Sequence, residues 1–286
     1  MLKFGRQYRL TIDLNDGGNS IVIEPPFTIN FNIQRNTMAV ANSMSLSIYN
    51  LSANTRSRIF QDRYRIGQYK KITLEAGYDD SLFTVYSGSI FQAASVLRGT
   101  DVITNIVSRD GYFDMANAQS NRGFEEGTST NAILKSLASD FEFVELGKFG
   151  GEDVTMTRPV IVEGNTYENI KTYSNNSVFI DLGKVNILAD NQVVSDTVFV
   201  LNADTGLLET PQREDAYLTV ETLFEPRVSM GSVVAIESEI NPIYNGQYKV
   251  IGVNHQGTIS EAVGGSLTSK FALFLGAQLF GGFESV

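Results

Sequence analysis

The chain has 286 residues, 42% hydrophobic and 19% charged, with no cysteine and a formal net charge of −10. It can bury a sizeable core in two or three domains, and disulfide and thiolate chemistry are excluded. Residues 1–143 carry 14 basic and 14 acidic residues and residues 144–286 carry 8 and 18, so the whole net charge sits in the second half.

An acidic half argues against sequence-independent nucleic-acid binding, which needs cations against phosphates. It suits a surface that nucleic acid passes without sticking, and it also suits plain solubility. The opening MLKFGRQYRLTI has no long apolar run of the signal-peptide kind. No stretch approaches the roughly 20 apolar residues that cross a bilayer. The expectation is a chain without a membrane span, made and folded in a cytoplasm.

The N-terminal third reads as β. YRLTIDL and SIVIE flank Asp16-Gly17-Gly18-Asn19, residue types that accept a tight hairpin turn. Phe27, Ile29, Phe31 and Ile33 then alternate with Thr28, Asn30, Asn32 and Gln34, and Met44, Leu46 and Ile48 alternate with Ser43, Ser45 and Ser47. Period-two alternation gives each strand a buried and an outward face. Both outward faces are polar and carry no charge. Ser52 is placed to cap a short helix whose apolar side includes Ile59 and Phe60. KKITLEAGY, FTVYSGSIFQAASVL and TDVITNIVSRD follow as strands, at a spacing that suggests a small barrel or sandwich.

From about residue 111 the texture becomes α+β. STNAILKSLASDF places Ile133, Leu134, Leu137, Ala138 and Phe141 on one helical face. NTYENIKTYSNN begins with Asn165 as cap and Glu168 three residues on, a capping-box-like arrangement. SVFIDLG, KVNILA and TVFVLN are short strands. From about residue 211 the chain returns to β with AYLTVETLF, GSVVAIES, QYKVIGVNH and SLTSKFALF. Val85-Tyr86-Ser87-Gly88-Ser89-Ile90 echoes Ile243-Tyr244-Asn245-Gly246-Gln247-Tyr248 in type and order. Two readings fit the echo: an internal duplication, or the turn grammar that β-meanders share.

Catalytic patterns are nearly absent. One histidine, His255, excludes a histidine-rich or thiolate zinc site within one chain and leaves a single imidazole for any triad. It alternates with apolar residues in a strand, as a structural histidine does. There is no G-x-S-x-G elbow and no phosphate-binding glycine motif. Asp13, Asn15, Gly17, Gly18 and Glu24 mimic part of a calcium-loop spacing, but Gly17 brings no side-chain oxygen and the flanks alternate like strands, so a hairpin is expected. Asp79-Asp80 and Glu125-Glu126 are sequence neighbours in turns and do not face one another across a cleft. No catalytic, cofactor-binding or metal-binding residue is assigned, and no enzyme activity is expected.

Two features point to binding instead. Arg56, Arg58, Arg63, Arg65, Lys70 and Lys71 stand against Asp62 alone, a basic strip suited to an acidic partner or to a solvated helix face. Leu279, Phe280 and Phe283 lie among glycines in the C-terminal tail, where apolar side chains must fold back or dock on another chain.

Taken together, FTINFNIQRNTMAVANSMSLSIYNLSANTRSRI, ITLEAGYDDSLFTVYSGSIFQAASVLRGTDVITNIVSRDG, VLNADTGLLETPQ, VETLFEPRVSMGSVVAIES and NGQYKVIGVNHQGTIS resemble the baseplate hub proteins of contractile-tailed bacteriophages. Thr205-Gly206-Leu207-Leu208, Pro226, Gly231 and His255-Gln256-Gly257 fall where that pattern has them; an Asp commonly follows the last of these, and this chain has Thr258. The resemblance implies a mainly β chain with an α+β insert: a tudor-like β-barrel over 1–110, an α+β domain over 111–210, and a second tudor-like barrel with a tail over 211–286.

It also implies a homotrimer, a virion structural protein assembled in the host cytoplasm. Its two barrels per chain would form a pseudo-six-fold ring between a six-fold tail tube and a three-fold spike. Expected partners are tube or adjacent ring proteins, the trimeric spike, the tape measure protein, and DNA in transit through the lumen. Candidate interface residues are Thr28, Asn30, Asn32, Gln34, Ser43, Ser45 and Ser47, with Arg56, Arg58, Arg63, Arg65, Leu279, Phe280 and Phe283. The competing readings are another tail-end ring or collar, a carbohydrate-binding β protein of host recognition, and a peptidoglycan-cleaving hub enzyme.

Overall fold

The computed structural model describes all residues except 1–2, 15–19, 38–40, 65–68, 80, 176, 196, 215–216, 276–283 and 286. The chain opens with β1 (Arg6–Asp13), β2 (Ser20–Ile23), β3 (Ile29–Asn36), β4 (Ser43–Tyr49) and helix α1 (Ala53–Ile59). Next come β5 (Lys71–Tyr78), the long β6 (Ser81–Arg98) and β7 (Asp101–Arg109). The middle holds α2 (Tyr112–Asn117), β8 (Gln119–Phe124), α3 (Thr130–Ala138), β9 (Glu145–Phe149), β10 (Val160–Asn165) and α4 (Thr166–Tyr173). It continues with β11 (Val178–Asp181), β12 (Lys184–Ile187), β13 (Gln192–Val193), β14 (Val198–Leu201) and β15 (Gln212–Arg213). The last part contains β16 (Tyr217–Leu223), β17 (Val233–Ile236), a 3-10 turn (Pro242–Tyr244), β18 (Gly246–Ile259), β19 (Leu267–Phe274) and β20 (Glu284–Ser285). The chain is mainly β, as its sequence pattern predicts.

The local signals act as elementary chemistry requires. Ile29, Phe31 and Ile33 are buried while Asn30 and Gln34 are exposed. The Ser52 hydroxyl accepts the Thr55 N–H at 3.1 Å and starts α1; Ile59 is buried, whereas Phe60, just past the helix, is 49% exposed. Asn165 caps α4 by accepting the Glu168 N–H at 3.0 Å. Ile133, Leu134, Leu137 and Ala138 form the buried face of α3.

Among the described residues thirteen strands form one sheet, ordered β15-β16-β19-β18-β3-β4-β7-β6-β5-β1-β2, with β17 on β18 and β14 on β17. One arrangement occurs in it twice. β4, β7, β6 and β5 pair in that order, and so do β16, β19, β18 and β17. Both long strands carry a bulge at the same place. In β6 it falls between Ile90 and Gln92, opposite Ser108 and Val107; in β18 it falls between Val250 and Gly252, opposite Leu273 and Ala272. β3 and β15 extend the two units in matching register, Asn32 opposite Ser45 and Gln212 opposite Thr219.

The units diverge further out, where β1 runs antiparallel to β5 but β14 runs parallel to β17. The sequence echo pairs Gly88 with Gly246. The ladders instead make Gly88, opposite Ile72, equivalent to Tyr248, opposite Val234. The echo therefore lies on equivalent strands but two residues out of register.

Three cores result. The first gathers residues of β1 to β7, among them Leu10, Ile33, Leu46, Leu74 and Ile106. The second lies around Val220, Val234, Val250 and Phe271. The third packs α3 and α4 on β11 and β12 through Leu137, Tyr167, Ile170, Ile180 and Val185. Among the described residues no ladder closes either repeated unit on itself.

The two units are joined by strand pairing. β18 runs past its own unit and pairs with β3, from Gly252 opposite Asn36 to Ile259 opposite Ile29. Ile259 and Leu267, at the far end of the β18–β19 hairpin, belong to the first core. Each is almost fully buried, a contribution of about 1.5–3 kcal/mol per side chain. The second unit thus lends a hairpin to the first.

Candidate functional site

The seam determines what the uncharged polar faces become. β3 and β4 are neighbours, with Asn30 opposite Ser47, Asn32 opposite Ser45 and Gln34 opposite Ser43. Side chains directly opposite in antiparallel strands share a face, so the two alternating strands make one surface. β18 widens it: Thr258 lies opposite Asn30, Gln256 opposite Asn32 and Asn254 opposite Gln34. On the other side β7 adds Asn105 opposite Ser47. The result is an uncharged amide and hydroxyl surface across β18, β3 and β4, bordered on β7 by Asn105, Val107 and Arg109.

Hydrogen bonds tie this surface together. The Asn30 amide donates to Thr258 Oγ1 at 2.9 Å, the Asn254 amide to Asn32 Oδ1 at 3.2 Å, and the Ser47 hydroxyl to Asn105 Oδ1 at 2.8 Å. Thr28 and Ser260 share a hydroxyl contact of 2.6 Å. Asn30, Gln34 and Ser45 are exposed; Thr28, Asn32, Ser43 and Ser47 are half-buried. The sequence reading missed Asn254, Gln256 and Thr258. Their signal was present, since they alternate with buried Val253 and His255, but it was short.

The basic strip is placed less uniformly. Arg56 is half-buried, its Nε donating to the Leu51 carbonyl at 3.1 Å. Arg58 and Arg63 are exposed, and the Arg63 guanidinium lies 4.7 Å from the ring centre of Tyr64, itself 74% exposed. Lys70 Nζ donates to the Arg58 and Phe60 carbonyls at 2.7 and 2.8 Å. Arg65, Leu279, Phe280 and Phe283 lie outside the described residues.

Behind the seam is a buried ionic junction. Arg35 Nη1, on β3, donates to both carboxylate oxygens of Asp181 at 3.1 and 3.2 Å, with both side chains buried. The Asn42 amide donates to the Ile180 carbonyl at 2.8 Å, and Asp110 accepts the Gly183 N–H at 3.1 Å. These bonds fasten the β11–β12 turn of the middle region to β3 and to the end of β7. Burial raises the Asp110 carboxyl to about 8, reinforced by the charge of Asp181. Burial likewise pushes Asp181 upward, opposed by Arg35.

A cleft of about 270 Å³ adjoins this junction, with Lys71, Asp110, Glu142 and Glu145 in its walls. Asp110 is only 1% exposed and bound to the Gly183 N–H, so it serves the architecture of the cleft. His255 is fully buried between Phe224 and Phe271, with Nδ1 2.7 Å from Ser269 Oγ. Burial holds its imidazole well below its ordinary range, which is the behaviour of a structural histidine. Among the described residues no group of three acidic or histidine side chains is arranged to hold a metal ion. The Asp13 and Glu24 strands form a hairpin, with Asp13 opposite Ser20 and Glu24 paired to Arg9 at 2.7 Å.

Residues 8–258 match the family model described as baseplate hub gp41. The chain belongs to this baseplate hub family. The family is one of structural phage tail and baseplate proteins, which places the chain in the tail of a virion. No curated protein matches the hub chain in sequence.

Among solved structures, the hub resembles the 43 kDa tail protein of prophage MuSo2 from Shewanella oneidensis, at 10% identity and TM-score 0.61, covering 94% of this chain and 96% of that one. It is similar to a tail protein from Neisseria meningitidis at 10% identity and TM-score 0.61, over 96% of this chain and 98% of that one. A chain of a Francisella PdpA–VgrG complex matches at 9% identity and TM-score 0.55, over 94% of the hub but 52% of its own length. At these identities the likeness is one of fold.

Proposed function

We propose that the chain is the hub of a contractile tail, a homotrimer whose two β units per chain make a pseudo-six-fold ring. The ring joins the six-fold tail tube, or an adjacent ring protein, to a three-fold spike, and DNA passes through it at ejection. The observation that carries this reading is the repeated ladder: matching register and a matching bulge give one chain two near-equivalent units. Three such chains supply six similar edges, which three single units could not.

In this reading residues 1–110 and 211–286 are the two tudor-like barrels and residues 111–210 the domain between them. The uncharged surface across β3, β4 and β18 is a contact surface, because amides and hydroxyls can be covered without the desolvation cost of unpaired charges. Exposed Arg58 and Arg63 meet an acidic neighbour, and the tail residues Leu279, Phe280 and Phe283 dock on another protein. The acidic second half repels DNA in transit. The fold likeness to a chain of a PdpA–VgrG complex supports a role within an assembly and a spike-like partner. The family's structural character supports a non-enzymatic part, assembled into the tail in the host cytoplasm.

The test is the mass of the purified full chain in solution, alone and with its trimeric spike protein. Three chains per particle is the expected result. A stable dimer or tetramer, or a monomer that stays monomeric with the spike, overturns the reading. Clearing of purified cell wall by the chain would overturn its non-enzymatic part.

A further inference from the structure

We propose that the β6–β7 hairpin of one copy docks on the β15 edge of a second copy, repeating between chains the pairing that β18–β19 makes with β3 within the chain. The inference rests on the ring reading above and names the contact that would close the ring.

The argument starts from an asymmetry between the repeated units. In the second unit, the hairpin end beyond the bulge is paired along its outer edge by β3, and it buries Ile259 and Leu267 in the first core. In the first unit, among the described residues, the equivalent hairpin end has one outer rung, Gln61 to Ala93, and no outer partner from Ala94 to Arg98. All five of those residues are exposed; Leu97 is 69% and Val96 38% exposed. Ala93 turns its N–H and C=O toward Gln61, so by strand alternation Ser95 and Leu97 present theirs to the same open side. An open edge that carries apolar side chains is a template for pairing unless something covers it.

The matching vacancy is on β15. In the first unit the outer edge of β3 is taken by β18, with His255 opposite Ile33. β15 is the equivalent of β3, and its described partner is β16 alone. Glu214 N–H donates to Tyr217 inside the unit, so Arg213 presents its backbone outward.

Transferring the in-chain register through the two equivalences fixes the expected one. Ser95 corresponds to His255 and Arg213 to Ile33, so Ser95 faces Arg213 of a second copy. The transfer is made at this one pair, because Pro211 is buried and the chain before it already pairs with β16 through Leu207 opposite Thr222. A second copy is the occupant that brings the equivalent of β3 to this hairpin.

Because the native chain has no cysteine, the pairing can be read by a disulfide. Directly opposite residues of a hydrogen-bonded antiparallel pair lie about 5.5 Å apart at Cα, within disulfide reach. The full-length double variant Ser95→Cys/Arg213→Cys is oxidised mildly and run without reductant. The expected products are covalent dimers and a closed trimer, with nothing larger. An equimolar mixture of the two single variants is expected to give dimers only. The out-of-register variant Val102→Cys/Arg213→Cys is expected to cross-link at least tenfold less. Ser95 and Arg213 are exposed and Val102 is half-buried, and melting temperature verifies folding of each variant. A particle that sedimentation shows to be trimeric but that does not cross-link overturns this contact and spares the ring; a chain that is monomeric with and without the spike overturns both. An altered monomer band, from a bond within one chain, also overturns the contact.

Discussion

Ile90 and Val250 occupy the same place in the two halves of the molecule. Each stands just before the bulge of a long strand, and each donates its backbone N–H to the carbonyl of a residue leading into the neighbouring strand, Lys70 at 2.8 Å and Ser232 at 2.9 Å. Both are fully buried. A bulge adds a residue and a bend, so conserving it in both units sends both hairpins off their own core in a corresponding way. One hairpin finds β3 in the same chain. Among the described residues the other has no outer strand partner beyond Ala93.

Gly257 is where the seam tolerates no side chain. It lies at φ +147°, opposite Phe31 on β3, and a Cβ there would come within 2.2 Å of the Ser266 carbonyl oxygen. Gly257→Ala must therefore displace backbone of the β18–β19 hairpin. The expected cost is about 1–3 kcal/mol of stability, read by urea denaturation. Faster amide exchange at Gln256 and Thr258 should accompany it, with Val234 and Val220 in the second core unaffected.

The Arg35–Asp181 pair should behave as a buried ion pair that fastens two parts of the chain. Arg35→Met leaves the Asp181 carboxylate buried without its counter-charge, an expected loss of about 3–5 kcal/mol. Adding Asp181→Leu removes the stranded charge and should restore more than half of that loss. Chemical denaturation of the single and double variants checks both statements, and equal stability of the two would refute the coupling.

Asp110 gives the stability a pH dependence with a definite sign. Its carboxyl is raised from 3.8 to about 8 by burial and by the charge of Asp181, so the folded chain keeps a proton that the unfolded chain releases near pH 4. Its contribution is complete below about pH 4 and is lost as pH rises toward 8. His255 works in the opposite direction. Burial lowers its pKa, so the unfolded chain takes up the extra proton and stability falls below about pH 6.5. The difference between wild type and Asp110→Asn isolates the carboxyl. The variant should lose stability less steeply than wild type between pH 5 and 8, measured by urea titration at fixed ionic strength.

What the sequence disclosed follows from the range of each signal. Period-two alternation and capping are local, and Ile29, Phe31, Met44, Ser52 and Asn165 behave as their neighbours in the chain dictate. β8 and β9 carry no such alternation; ELGKF is half-exposed along its length and is held by parallel pairing with β12, so nothing local announced it. Arg35 and Asp181 are 146 residues apart, a separation that no spacing rule spans. The Gly88–Gly246 echo lies on equivalent strands but pairs residues two positions out of step, because the bulges after Ile90 and Val250, which align the two units, leave no mark in residue type. The uncharged face was legible strand by strand, but its breadth depends on β18 coming from the far end of the chain.

That breadth is what makes the face testable as a contact surface. Ser45 is exposed near its middle, opposite Asn32 on one side and Val107 on the other. On an isolated chain Ser45→Glu meets water and should change stability by no more than about 0.5 kcal/mol. If a neighbouring subunit covers the face, the same carboxylate is buried without a partner and opposes association. The comparison is Asn54→Glu, an exposed position on α1 outside the β18–β3–β4 ladders. Both variants should unfold alike in urea at concentrations where the chain is dissociated. In sedimentation at higher concentration Ser45→Glu should shift the assembly equilibrium toward free chains by at least tenfold while Asn54→Glu does not. Equal assembly of the two would mean that the uncharged face stays wet in the ring.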